Sequence, residues 1–185
     1  MEVGRFRVVP ASYVIFLRGN GDDTEVLLQL RSGTGYLDGY WALAAAGHIE
    51  QGESAFEAAK REATEELGVH GLQLTALTAM HRTGGTGTPI DERVDYFFIA
   101  TSWHGEPQII EPNKCADLRW FRLDALPDPV APHELSVLEL MIGGTVPPII
   151  TYGFADHQAV TPAGDPCRGL PAPVASTSDP RRSAG

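Results

Sequence analysis

From Val8 to Leu17 the chain is largely apolar and β-branched, and a second such run extends from Glu25 to Leu30. Between them lies Gly19-Asn20-Gly21-Asp22-Asp23, a cluster of turn formers, so the two runs predict a β-hairpin. The period then changes. Phe56, Ala59, Ala63 and Leu67 recur at spacings of three and four, while Glu57, Lys60, Arg61, Glu62, Glu65 and Glu66 fall outside that stripe. This predicts an amphipathic helix between Ser54 and Leu67. Ser54 followed three residues later by Glu57 is a capping-box pattern, and Gly68 stands where a left-handed C-terminal cap falls.

Ahead of that helix, a glycine- and tyrosine-containing loop from Ser32 to Tyr40 leads into the short segment Trp41-Ala42-Leu43. After it, Leu72 to Met80 and Arg93 to Thr101 read as strands, joined by a glycine- and threonine-rich loop from Thr83 to Pro89. A further strand is expected at Leu118 to Phe121 and a helix at about His133 to Met141. The class is α+β, mostly strand with few helices. Beyond about Tyr152 proline, alanine, glycine, serine and threonine dominate without apolar periodicity, too little to offset the entropy of ordering. The expected organisation is one folded domain over residues 1–150 and an unstructured tail over 151–185.

The length of 185 residues, 43% of them apolar, suits one domain with a sizeable core. No stretch has the length and apolarity of a membrane span or a signal peptide, so a soluble cytoplasmic protein is expected. Cys115 and Cys167 indicate neither a disulfide framework nor a thiolate metal site. The formal charge of −10 opposes nonspecific attraction to nucleic acid or anionic membrane, and neither is expected as a partner. An anionic substrate would need a metal or local arginines.

Glu62, Glu65 and Glu66 stand at i, i+3 and i+4, which places their carboxylates within mutual reach on one helix face, and Glu50, Glu53 and Glu57 lie just upstream. Like charges at i, i+4 cost about 0.2–0.5 kcal/mol, a sign that a bound cation would reverse. Oxygen ligands in this number suit magnesium, with manganese as the alternative. On these three residues alone a merely solvated acidic face is the commoner reading.

The wider spacing changes that balance. Gly47, Glu53 and Arg61-Glu62-Ala63-Thr64-Glu65-Glu66-Leu67-Gly68-Val69 together resemble the full Nudix box, and the resemblance extends from roughly Arg5 to Thr145. It implies a Nudix-type α/β/α sandwich with a mixed sheet, in which a loop-helix-loop holds divalent ions against a diphosphate. Residue by residue, it implies that Glu62, Glu65 and Glu66 are metal ligands, with Glu53 and the Gly47 carbonyl as further ones. Arg61 would orient a carboxylate by pairing with Glu65 or Glu57. Ala44-Ala45-Ala46-Gly47 departs from the Pro-Gly or Gly-Gly of many members and is one residue longer after Trp41.

The expected chemistry is attack of a metal-activated water on one phosphorus, with a carboxylate accepting its proton. Glu65, Glu66, Arg61 and Glu111 are the catalytic candidates. Glu111 follows Trp103 as in MutT-like members, where such a glutamate adds a metal ligand; Glu92 and Asp95 compete with it as general base. For the nucleoside end, Arg31, Tyr36, Tyr40, Phe97 and Trp120 are candidates, because aromatics stack on bases and arginine pairs with phosphate. His48 could donate to a phosphate. The expected substrate is a small-molecule nucleotide, first a nucleoside triphosphate, intact or oxidised, cleaved to monophosphate and pyrophosphate. ADP-ribose or a nucleotide sugar is the second choice, and a nucleotide-sensing domain without hydrolysis is the reading from another class. A homodimer is expected by resemblance alone.

Overall fold

In a computed structural model the described residues are 6–154. The first strand, β1 (Val9–Arg18), turns through a short 3-10 segment into β2 (Glu25–Arg31), with Leu17 opposite Val26 as the predicted hairpin requires. Two short strands follow, β3 (Trp41–Leu43) and β4 (Ala45–His48), then helix α1 (Ala55–Leu67). The long strands β5 (His70–Thr83) and β6 (Glu92–His104) extend past their expected ends, and β7 (Cys115–Arg122), α2 (Pro132–Ile142) and β8 (Ile149–Tyr152) complete the domain. Because Thr151 and Tyr152 pair with His81 and Arg82, the boundary expected at residue 150 falls inside a strand. The tail expected over 151–185 otherwise lies outside the described residues from position 155 onward.

The sheet is mixed, as expected. Strands run β8-β5-β6-β1-β4, with β1 parallel to β6 and β5 parallel to β8, while β5–β6 and β1–β4 are antiparallel. The far end of β1 passes to β2, which β3 and β7 flank.

Strand β1 explains the two-sided core. Its alternate residues point to opposite faces. Val14 and Phe16 join one buried cluster with Ala59, Ala63 and Leu67 of α1, whereas Tyr13 and Ile15 join another with Val137 and Leu138 of α2. The sheet is therefore sandwiched between the helices and buried on both faces, so β1 reads as a continuous apolar run.

The termini of α1 form as their sequence dictates. Ser54 Oγ accepts from Glu57 N, the Glu57 carboxylate accepts from Ser54 N at 2.7 Å, and Gly68 adopts φ 70°. The predicted stripe is corrected at one position: Phe56 is 45% exposed, and Ala58 is buried in its place beside Ala59, Ala63 and Leu67. A face of alanines lets the helix axis approach β1 and β4, a distance that a phenylalanine ring would hold open. Phe56 instead lies at the edge, its ring 4.6 Å from that of Phe98.

Candidate functional site

Because α1 lies so close to the sheet, its acidic face meets β4 directly. Glu62 lies over Gly47, where a Cβ would overlap the carboxylate, so any larger residue here would push the Glu62 side chain aside. One turn along, the Glu66 carboxylate accepts from Ala46 N at 3.0 Å. Burial pushes the Glu66 carboxyl up to about 8, with Glu62 and Glu111 adding to the shift, and burial raises Glu62 as well.

Arg61 ties the remaining carboxylates together. Its guanidinium donates to Glu53 at 2.7 and 3.2 Å, to Glu62 at 2.6 Å, to Glu65 at 3.2 Å and to the His48 carbonyl at 3.0 Å. The bidentate Arg61 contact is the first reason the Glu53 carboxyl is held below its ordinary range. Of the two partners expected on the helix, Arg61 takes Glu65; Glu57 is committed to the cap, and a carboxylate folded back onto Ser54 cannot also reach a guanidinium. Glu65 is the most exposed of the array, its side chain 56% accessible.

Glu111 is brought alongside from another loop. Gln108 N and Ile110 N donate to the carbonyls of Leu67 and Glu66, the otherwise unpaired C-terminal acceptors of α1, and this docks the β6–β7 loop on the helix end. Glu111 itself pairs with Lys114 at 2.8 Å. The other two carboxylates weighed as bases are occupied elsewhere. Asp95 is fully buried between Arg82 and Arg93, and Glu92 accepts from Thr83 at 2.8 Å.

Next to Gly47 and His48 opens a cavity of about 400 Å³. Arg31, Tyr36 and His48 line it, as the sequence suggested. Phe97 and Trp120 do not: Phe97 is fully buried, stacked on Tyr13 at 4.8 Å, and Trp120 lies on Trp103 at 6.4 Å with Arg18 above its ring. Both serve the packing of the sheet, which claims aromatic side chains on inward-facing strand positions. Tyr40 is likewise absent from the lining.

Residues that sequence reasoning missed complete the walls: Arg82 and Arg93 from β5 and β6, and His133 and Glu134 from the first turn of α2. Leu43 N donates to the Glu134 carboxylate, and burial pushes that carboxyl up to about 7. His133 is pushed down to about 3, first by burial and then by the charges of Arg82, Arg93 and Arg31. Periodicity could not separate these residues from ordinary strand and helix positions, because only the tertiary fold brings α2 against β3.

The NUDIX domain profile matches residues 8–141. The chain belongs to the NUDIX family. Among solved Nudix structures it is similar to a MutT NUDIX hydrolase from Burkholderia pseudomallei, 28% identical with a TM-score of 0.63, over 72% of this chain and 97% of that one. The E. coli ORF135 protein has a TM-score of 0.59 at 24% identity, over 75% of this chain and 91% of that one, a likeness of fold. A curated relative, an isopentenyl-diphosphate Delta-isomerase from Rhodobacter capsulatus, is 36% identical over 116 residues. That match takes in 61% of this chain and 63% of the isomerase. The α+β sandwich and the Nudix membership expected from the box are thus both found.

The Nudix array fits a hard divalent cation in its donor chemistry. Glu62 and Glu66 are carboxyls that burial raises despite the contacts of Glu62 with Arg61 and of Glu66 with Ala46 N, so a further positive charge would favour their ionised forms, and the Gly47 backbone lies beside Glu62. Among the described residues no three acidic, histidine or cysteine side chains converge on one point, and Arg61 stands between Glu53, Glu62 and Glu65. Among the described residues, no helix is long and apolar enough to cross a membrane.

Proposed function

We propose that this Nudix hydrolase cleaves the diphosphate bond of a nucleoside diphosphate derivative with the help of magnesium or manganese, a nucleoside triphosphate being the first candidate. The observation that carries this reading is adjacency. The Arg61-linked carboxylates and the arginine-lined cavity meet at Gly47 and His48, so one substrate can run its phosphates from the array to the cavity arginines and place its nucleoside in the rest of the cavity.

A divalent ion on Glu62, Glu65, Glu66 and Glu111 would supply charge neutralisation and a more acidic water. The protein's own part is to hold those carboxylates. Arg61 fixes Glu62 and Glu65, Ala46 N fixes Glu66, and the loop docked on α1 sets Glu111 beside them. Glu65, the most exposed carboxylate of the array, or Glu111, beside it on the docked loop, takes the proton from water. Arg31, Arg82 and Arg93 offset the charge of the phosphates on the cavity side.

Hydrolysis of a nucleoside triphosphate in oxygen-18 water with magnesium tests this. Labelled product as monophosphate plus pyrophosphate supports it. No hydrolysis, with interconversion of isopentenyl diphosphate instead, would place the chain with the Rhodobacter relative's named reaction.

A further inference from the structure

Arg82 and Arg93 face each other directly across the antiparallel pair of β5 and β6. Like charges opposite one another in a sheet are destabilising. Both line the cavity, and a fully buried carboxylate reconciles them: Asp95 accepts from Arg82 Nε at 2.9 Å and from Arg93 Nε at 3.1 Å. A guanidinium held by its Nε has its direction set, since the fork is planar.

One further nitrogen of each guanidinium is engaged. Arg82 Nη1 donates to the Tyr36 hydroxyl at 3.3 Å, and Arg93 Nη1 lies 2.9 Å from His48 Nε2. No hydrogen bond to a described residue engages Nη2 of either arginine. One carboxylate shared by two guanidiniums leaves that three-residue cluster one positive charge in excess. The other two acids of the lining are not hydrogen-bonded to these guanidiniums: Asp91 accepts from Thr88 and Thr86, and Glu134 from Leu43 N, while Arg31 adds a third cation to the wall.

We propose that Asp95 is a positioning residue that presents Arg82 and Arg93 as a paired clamp for a phosphate group of the substrate, one not held by the α1 carboxylates. The inference deepens the hydrolase reading and rests on it for the word substrate, though the clamp itself is a property of the apo protein. His48 links the two halves, since its carbonyl accepts from Arg61 and its ring meets Arg93. A diphosphate would therefore run from the carboxylate array across β4 to the clamp.

Calorimetric titration of the full-length, metal-free protein with inorganic pyrophosphate in EDTA is the test. Wild type is expected to bind, and Arg82→Gln and Arg93→Gln each to bind at least about tenfold more weakly, the scale of a lost hydrogen bond to a charged group. Asp95→Asn should weaken binding with both arginines present. Arg119→Gln, an exposed arginine outside the cavity, controls for net charge and should bind as wild type.

With magnesium, Arg93→Gln should raise KM while kcat changes by less than about threefold, a split that mere loss of stability would not produce. Pyrophosphate binding unchanged in both Arg82→Gln and Arg93→Gln overturns the clamp, even if Asp95→Asn fails to fold. Pyrophosphate bound through these arginines by a protein that hydrolyses no diphosphate leaves the clamp standing and removes the hydrolase reading.

Discussion

The carboxylate of Glu62 rests on the α-carbon of Gly47, with no room for a methyl group between them. This contact joins the acidic face of α1 to the strand that borders the cavity. Gly47→Ala is expected to displace Glu62 and to lower kcat by roughly 100-fold, as when a group that positions a metal ligand is lost. The melting temperature and the magnesium dependence of turnover check it; wild-type kinetics in the variant would mean that Glu62 need not lie there.

Arg61 engages Glu53, Glu62, Glu65 and the His48 carbonyl at once. Lysine keeps the charge but not the fork. Arg61→Lys should therefore reduce magnesium affinity or turnover by about 10–100-fold with the fold retained. Isothermal titration with magnesium, alongside circular dichroism, separates the two effects.

The Ser54 cap joins local sequence to the site, since it fixes the start of α1 two residues after Gly52. Ser54→Ala should cost about 1 kcal/mol of stability. Urea denaturation measures it, and activity at low temperature should be preserved, because no carboxylate of the array depends on the Ser54 hydroxyl.

Glu134 gives a pH signature. Its carboxyl is raised in the folded protein to about 7, so its contribution is fully present below the ordinary carboxylate range and is lost as pH rises through about 7. His133, depressed to about 3, acts in the opposite sense, its contribution being lost as pH falls. The difference between wild type and Glu134→Gln isolates the glutamate: relative to the variant, wild type should lose about 3 kcal/mol between pH 4.5 and 8. Glutamine can still accept from Leu43 N. Parallel stability profiles of the two proteins across that range would contradict the assignment.

The helix was legible because everything that makes it is local: the cap, the alanine stripe and Gly68 lie within fifteen or so residues of sequence. The Nudix spacing around it could be read for the same reason. Phe56 misled because period alone does not say how closely a helix lies on its sheet. Phe97 and Trp120 misled for a related reason, since an aromatic residue on a strand packs inward or lines a cavity according to register with strands far away in sequence. Arg82 and Arg93 were illegible because their meeting depends on the register of β5 with β6, and Glu134 because the docking of α2 beside β3 joins residues 91 positions apart. His48 and Tyr36, close to the box or in a loop already marked by glycines, were within reach.

Diphosphate hydrolysis by this chain is best measured in a magnesium-dependent screen against nucleoside triphosphates, oxidised nucleotides, ADP-ribose, nucleotide sugars and dinucleoside polyphosphates. Glu65→Gln is the control, preferable to Glu66→Gln because the Glu65 side chain is exposed while Glu66 is tucked against Ala46 N. The account predicts turnover of one diphosphate-containing class, reduced by orders of magnitude in the variant at unchanged melting temperature. Silence across the panel with nucleotide binding retained, or equal turnover by Glu65→Gln, would contradict it.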